Sequence, residues 1–329
     1  MTVAASRRPR AGSRLALTIA LRLISVLLIL LVLSFVTYTL LYLAPGDLVR
    51  NLLGNRPSTP EAVAVVRAQY HLDDPFLVRY IDWLFAALRG ELGVSIRMQQ
   101  PVTRVIGSRL GVTLALIGFS FVLALLAAVP LGILSAARSG GPVDRAASGL
   151  ALLGLSAPSF VLAILGITVL SIWVPLFPAY GAGDGGLDRL WHLFLPSAVL
   201  AAGIAAILMR MTRAAVLREL ESDAITFARS RGLPERVVLR IALRSALIPI
   251  VTSAGLILTF IISGTIIVET VFALPGLGQL LYQSVLFKDL PVVQAITLLV
   301  AAMIGLITIV VDLSYLGLDP RVRARDSAG

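Results

Sequence analysis

The sequence predicts an all-α membrane protein with six transmembrane helices. Three observations carry that expectation. First, 58% of the 329 residues are hydrophobic and only 14% are charged, whereas a soluble domain averages about 25% charged residues. Second, there are six apolar runs, at about 15–44, 112–137, 147–174, 194–216, 246–272 and 292–317. Each reaches the roughly 20 residues a helix needs to cross the hydrocarbon core. Third, the arginines are unevenly placed. With the N-terminus inside, 18 of the 28 basic residues fall on the inside pieces, which carry the whole net charge of +10. This bias puts both termini in the cytoplasm and accounts for the basic balance without nucleic acid as a partner.

Composition also excludes several chemistries. The chain has no cysteine, so it offers no disulfide, thiolate metal site or cysteine nucleophile. His71 and His192 are the only histidines and lie far apart. No ligand cluster at metal-binding spacing accompanies them. The one lysine, Lys288, lies in Phe287-Lys288-Asp289. The phosphate-cradling loop Gly-x-x-x-x-Gly-Lys-Ser/Thr is therefore absent, and nucleotide cannot be held by that motif.

Taken in order, 1–14 reads as a cytoplasmic tail. The first apolar run is far longer than the ~7–15 residues of a signal peptide's apolar region, and no small-x-small cleavage pattern follows it, so it is expected to remain as a span. It leads into the turn Leu43-Ala44-Pro45-Gly46-Asp47. The 45–111 segment is too polar to span and carries helix signals. Thr59-Pro60-Glu61 offers an N-cap followed by proline at the first helical position, with Ala62, Val65, Val66 and Gln69 on one face. Asp74-Pro75 opens a second helix with Phe76, Tyr80, Trp83, Leu84 and Leu88 to one side, ending at Gly90. Two readings stay open: amphipathic helices lying on the membrane surface, or packing on the outer ends of the spans. The fourth span is crowded with Ser197, Ala198, Ala201, Ala202, Gly203, Ala205 and Ala206. Small residues let helices approach closely in lipid, so this span should be buried against others. No internal repeat is visible.

Between the fourth and fifth spans, 217–245 forms an Arg-rich cytoplasmic loop with helix-turn-helix signals. Ser222 and Asp223 suit an N-cap. Gly232 can take the left-handed conformation that stops a helix, and Pro234 follows two residues on. Arg229 and Arg231 fall in the last turn, where cations complement the helix dipole. A second helix is expected from about Glu235, with Val238, Ile241, Ala242 and Ser245 on one face, leading to Pro249 and the fifth span. A helix of about nine residues is unstable alone in water. It is held either by its own bundle or by a partner into which Phe227 and the neighbouring arginines dock.

The loop Ala228-Arg229-Ser230-Arg231-Gly232-Leu233, followed by Ala242-Leu243-Arg244-Ser245-Ala246-Leu247-Ile248-Pro249, resembles the cytoplasmic motif of ABC-importer permease subunits, most closely those for dipeptides, oligopeptides and nickel. Thr226-Phe227-Ala228 stands where the generic motif has Glu-Ala-Ala, and the proline falls later, departures that the peptide subfamily shares. Leu48 departs from the proline often found after Gly46-Asp47. The likeness extends along the chain: Ala44-Pro45-Gly46-Asp47, Leu72-Asp73-Asp74-Pro75, Arg79-Tyr80, Trp83, Gly90-Glu91-Leu92-Gly93, Asp144-Arg145, Ser156-Ala157-Pro158-Ser159-Phe160, Val268-Glu269-Thr270-Val271-Phe272, Pro275-Gly276-Leu277-Gly278 and Asp319-Pro320-Arg321-Val322-Arg323.

The resemblance implies a type I ABC importer permease fold over 15–317, with a cytoplasmic tail at 318–329. It implies a second homologous permease, two ATPase subunits or domains that hold ATP and Mg, and an extracytoplasmic substrate-binding protein. No cofactor is expected in this chain, which is not itself an enzyme. It makes 223–232 the coupling helix, with Asp223, Phe227, Ala228, Arg229, Arg231, Gly232 and Leu233 as its ATPase-coupling residues. The cargo it implies is peptides; nickel chelates, glutathione and haem are alternatives within the family.

Two acidic residues stand near span ends. Intramembrane charge is costly and usually has a role. Glu269 is expected to serve an outer gate or to hold the turn formed with Phe272, Pro275 and Gly276, against simple interfacial solvation. Asp312 is expected to snorkel or to pair, with an arginine of the C-terminal tail as a candidate. Met209 and Met211 read as packing. Three rivals remain: a secondary carrier, which would show broken helices or repeat symmetry; a homo-oligomeric channel, which would need a filter or charged ring that the loose 175–193 loop does not supply; and a membrane enzyme, for which no metal cluster or catalytic pairing is visible.

Overall fold

The structure, a computed structural model, describes residues 11–43, 59–69 and 73–318. The Ala44-Pro45-Gly46-Asp47 turn, most of the N-terminal tail and the 319–329 tail lie outside these residues. Among the described residues eleven helices follow in order: α1 (Ala11–Leu43), α2 (Pro60–Gln69), α3 (Phe76–Leu88), α4 (Val102–Ala137), α5 (Pro142–Ser156), α6 (Ser159–Ile167, continued by a π-turn over Thr168–Trp173), α7 (Gly186–Leu220), α8 (Asp223–Ser230), α9 (Glu235–Val271), α10 (Leu277–Leu286) and α11 (Leu290–Leu318). Among the described residues the only extended pairing is an isolated bridge between Val94 and Pro101.

Five helices are each long and apolar enough to span: α1, α4, α7, α9 and α11. The third expected span is not one rod. It is the pair α5 and α6, bent by 99° at Ala157-Pro158. Pro158 has no amide to continue α5, and it sits at φ −58°, ψ 138° as the residue before α6. Each arm has about 15 residues, roughly 22 Å of helix. Bent this far, the pair still reaches about 29 Å end to end, close to the ~30 Å of hydrocarbon. A broken helix is therefore present where the sequence showed none.

Other boundaries also move. α4 begins ten residues before its apolar run. The second cytoplasmic helix and the fifth span are one continuous helix, α9, which runs through Pro249. α10, between the fifth and sixth spans, was not expected at all. α3 ends as the sequence suggests. Gly90 has φ +87°, its amide reaches Ala87 O at 2.9 Å, and the Glu91 amide reaches Ala86 O at 3.0 Å, which is the Schellman termination. α3 packs on the C-terminal half of α1 through aromatic rings. Phe35 and Tyr80 meet edge-on at 5.1 Å, and Tyr38 lies 5.4 Å from Trp83. Ser34 Oγ and Tyr80 Oη share a 2.8 Å hydrogen bond. Leu77, Ile81, Phe85 and Leu88, on the rest of α3, are exposed.

The core lies where α4, α7 and α9 meet, around Leu116, Leu193, Leu208, Ile257 and Ile261. α7 is the most enclosed span: 56% of its apolar window is buried, against 6% for α1 and α11. Close approach explains this. A Cβ on Gly132 of α4 would stand 2.7 Å from Met209 O and Thr212 Cβ of α7. Gly132→Val should therefore cost about 1–3 kcal/mol through overpacking and lower the thermal midpoint of detergent-purified protein. Gly118→Val, on the same helix with open space around it, should leave the midpoint unchanged.

Candidate functional site: the cytoplasmic helix and the outer turn

α8 stands between the C-terminal end of α7 and the N-terminal end of α9. Ser222 precedes it with extended backbone, φ −72° and ψ 153°, and its carbonyl accepts the Ile225 and Thr226 amides at 3.1 and 3.0 Å. Its hydroxyl does not cap the helix as expected. It donates instead to Glu219 O at 2.7 Å, closing the last turn of α7. At the other end Gly232 has φ +74°, its amide reaches Arg229 O at 2.9 Å, and the Leu233 amide reaches Ala228 O at 3.3 Å. Glycine is needed here because an L side chain resists this conformation.

The helix has two unlike faces. Ile225 and Ala228 are buried, and Ile225 packs on Val238 and Ala242 of α9 with Leu220 of α7. This contact holds a helix that would be marginal alone. Phe227, at 63% exposure, points away from that contact. The Arg231 guanidinium lies 5.8 Å from its ring. Arg229 makes a two-point contact with Glu235, at 3.0 and 3.3 Å. Asp223, Arg229 and Arg231 are exposed, as is Leu233. The helix packs on its own bundle with one side and presents an aromatic ring flanked by arginines with the other.

The outer turn is built around Glu269, whose side chain is fully buried. Its Oε1 accepts the Thr113 hydroxyl of α4 at 2.7 Å. Its Oε2 accepts the amides of Gly278 and Gln279 in the first turn of α10, at 2.7 and 3.1 Å. Thr113 Oγ1 in turn accepts the Leu277 amide at 2.7 Å. The carboxylate thus satisfies the free N–H groups of a helix start, where negative charge is favoured. A Cβ on Gly276 would fall 2.3 Å from that carboxylate, so the position accommodates only glycine. Phe272 is buried, and its carbonyl accepts the Gly181 amide at 3.2 Å, while Pro275 is exposed.

Three further carboxylates frame these two regions. Asp144 accepts Ser135 Oγ at 2.5 Å, the Gly140 amide at 2.9 Å, and Arg213 Nε and Nη2 at 2.6 and 2.8 Å. It ties the 138–141 turn and α5 to α7. Asp289, just after α10, accepts the Ser95 hydroxyl and the amides of Ile96 and Arg97, pinning the 91–101 loop beside α10. The Arg97 guanidinium lies 3.8 Å over the Phe287 ring. Asp312 pairs with Arg22 of α1 at 2.8 Å; the tail arginines lie outside the described residues. Sequence reasoning missed Thr113, Ser135, Arg213, Ser95 and Asp289. Their only local signal was polarity beside a glycine or at a span end. Asp144→Asn should lower the thermal midpoint by several degrees, since it removes the acceptor of a charge-assisted fork. Asp312→Asn, which loses a more exposed pair, should lower it less.

Among the described residues no group of three or more His, Cys, Asp or Glu could hold a metal ion. The fold and these surfaces define a multi-pass subunit built to present one ordered helix outside the lipid. Residues 128–324 match the family described as binding-protein-dependent transport system inner membrane component. Residues 16–117 match the N-terminal region of the corresponding membrane components. A protein of Brucella suis biovar 1 (strain 1330), named as a peptide permease, is 38% identical over 92% of this chain and 97% of its own length. The glutathione transport system permease protein of Salmonella choleraesuis (strain SC-B67) is 36% identical, with the same coverage of each chain. A solved structure of the MetNI methionine ABC transporter in an inward-facing conformation shares the fold. Its TM-score is 0.56 at 22% identity, covering 68% of this chain and all of that one. The chain belongs to the binding-protein-dependent transport inner-membrane family: it is a permease subunit of an ABC importer, of the peptide and glutathione type, with the type I fold. It is a transport protein of the inner membrane, not an enzyme.

Proposed function

We propose that this subunit forms half of the translocation pathway for di- and oligopeptides and is driven through α8 by an ATPase subunit. A second homologous permease supplies the other half. Two ATPase subunits or domains hold ATP and Mg, an extracytoplasmic binding protein delivers cargo, and both termini lie in the cytoplasm, as the arginine bias requires. Asp223, Phe227, Arg229, Arg231 and Leu233 are the surface offered to the ATPase, while Ala228 and Gly232 fix its shape. The observation that carries this reading is the exposed Phe227 on a helix whose other face is anchored in α9. A large ring flanked by arginine is the residue chemistry of interface anchors. Because Ile225 ties α8 to α9, a push on α8 moves a helix that runs to the outer turn. There Glu269, Phe272, Pro275 and Gly276 brace the outer end of the path beside its gate. Peptide cargo is supported by the names of the relatives; that of the Salmonella relative supports glutathione, itself a tripeptide, as an alternative within the same class.

The test is uptake into vesicles carrying this subunit with its sister permease and ATPases, supplied with binding protein and labelled di- or tripeptide. Uptake is expected only with ATP inside the ATPase-bearing compartment. Uptake by this chain alone, driven by an ion gradient and indifferent to ATP, would establish a secondary carrier instead.

A further inference from the structure

The break in the third span leaves polar backbone at the middle of the membrane. Ala157 N–H still reaches Leu153 O, but the next bonded amide, Val161, reaches only Pro158 O. α5 ends at Ser156 and Pro158 has no amide, so the carbonyls of Gly154, Leu155 and Ser156 have no partner within that helix, and the Ala157 carbonyl accepts no backbone amide among the described residues. Their depth is fixed by their neighbours. A Cβ on Gly154 would lie 3.3 Å from Ala202 O, and one on Gly203 would lie 3.5 Å from Gly154 O. Gly203 is at the midpoint of α7, so the break sits far from either surface.

Non-helical backbone at this depth is tolerated only where it is buried in protein or lines a water-filled cavity. This chain does not bury it. Ser156 and Pro158 are exposed, and a cavity of about 280 Å³ opens beside them, lined by Gly154, Ala157, Ser159, Gly203, Phe260 and Gly264. None of these carries a charge. Apolar spans elsewhere, such as α1 and α11, turn continuous hydrogen-bonded helix to the lipid. Here the helix is interrupted, and Gly154, Ala157 and Ser159 stand at the break, with aliphatic side chains of α7 such as Val199 and Ile204 completing the lining.

We infer that this elbow faces the aqueous path between the two permeases, and that its bare carbonyls accept hydrogen bonds from the amide N–H groups of a passing peptide. This rests on the importer reading above and assigns residues to the path that it requires. A wall of neutral backbone acceptors suits cargo whose constant feature is the peptide bond, because it engages no particular side chain.

The absence of cysteine allows a direct test. Ser159→Cys is nearly isosteric, and Gly203→Cys adds a Cβ at ordinary contact distance. Leu306→Cys, on the exposed side of α11, serves as the lipid-facing reference. In the assembled, reconstituted importer, a charged, membrane-impermeant thiol reagent should modify positions 159 and 203 at least about tenfold faster than 306, because only water carries it to mid-membrane. The rate should change when nucleotide is trapped in the ATPases, and modification should block peptide uptake. If the parent complex transports peptide with ATP while 159 and 203 react no faster than 306 in either state, the elbow is sheathed in lipid or protein and the inference is wrong. If the parent complex shows no ATP-dependent uptake, the importer reading itself fails and takes this inference with it.

Discussion

Glu269→Ala is expected to cost on the order of 3–5 kcal/mol and to abolish recovery of folded protein from the membrane. The carboxylate holds two α10 amides and the Thr113 hydroxyl in a fully buried setting. Alanine orphans these donors, and each buried unsatisfied group costs about 1–3 kcal/mol. The Gln279 amide is only part-buried, which keeps the loss below the full sum. Glu269→Gln should fall between alanine and wild type, since its amide nitrogen meets a donor where an acceptor is needed. Gly276→Ala should approach the alanine result by a different route, because its methyl would occupy the carboxylate's place. Thermal scanning of detergent-purified protein reads all three. A wild-type midpoint for Glu269→Ala would show that the turn is held by something else.

Phe227→Asp is expected to leave folding and insertion intact and to remove transport. The ring is 63% exposed and contributes nothing to the core. As an anchor in a partner cleft, however, it should be worth about 2 kcal/mol or more, roughly a 30-fold loss of docking affinity. ATP hydrolysis should fall to the unstimulated rate and no longer respond to loaded binding protein. Gly232→Pro should give the same uncoupling by breaking the helix end. Proline cannot adopt φ +74° and has no amide for Arg229 O. Wild-type uptake in either variant would contradict the docking role.

Much of the fold was legible because hydropathy is a strong signal in lipid: six apolar runs correspond to five spanning helices and one bent pair. What hydropathy cannot see is direction. The run 147–174 is uniformly apolar, and only Pro158 hinted that the chain turns through 99° within it. Conversely, Pro249 stood where the second cytoplasmic helix was expected to give way to the fifth span, yet α9 passes through it unbroken. α4 begins early because Arg104 and Arg109 hid its outer turns from an apolar count. α8 was readable to within a residue or two at each end, since its stop is local chemistry at Gly232. The outer turn was readable only in part. Glu269 and Gly276 announced themselves, but Thr113 lies 156 residues from Glu269, and Arg213 lies 69 from Asp144. Pairings of that range arise from the packing of α4, α5, α7 and α9, which no local pattern encodes.

The central claim is that α8 is gripped by a nucleotide-hydrolysing subunit. Ala224→Cys places the chain's only thiol on the exposed face of that helix and keeps the Phe227 ring, so a short thiol-to-amine crosslinker applied to the purified, assembled importer tests the contact directly. The account predicts a single crosslinked product of this chain with an ATPase subunit, and a change in its yield when ATP is trapped. Crosslinking confined to this chain or its sister permease, with the ATPase present and unlabelled, would contradict it.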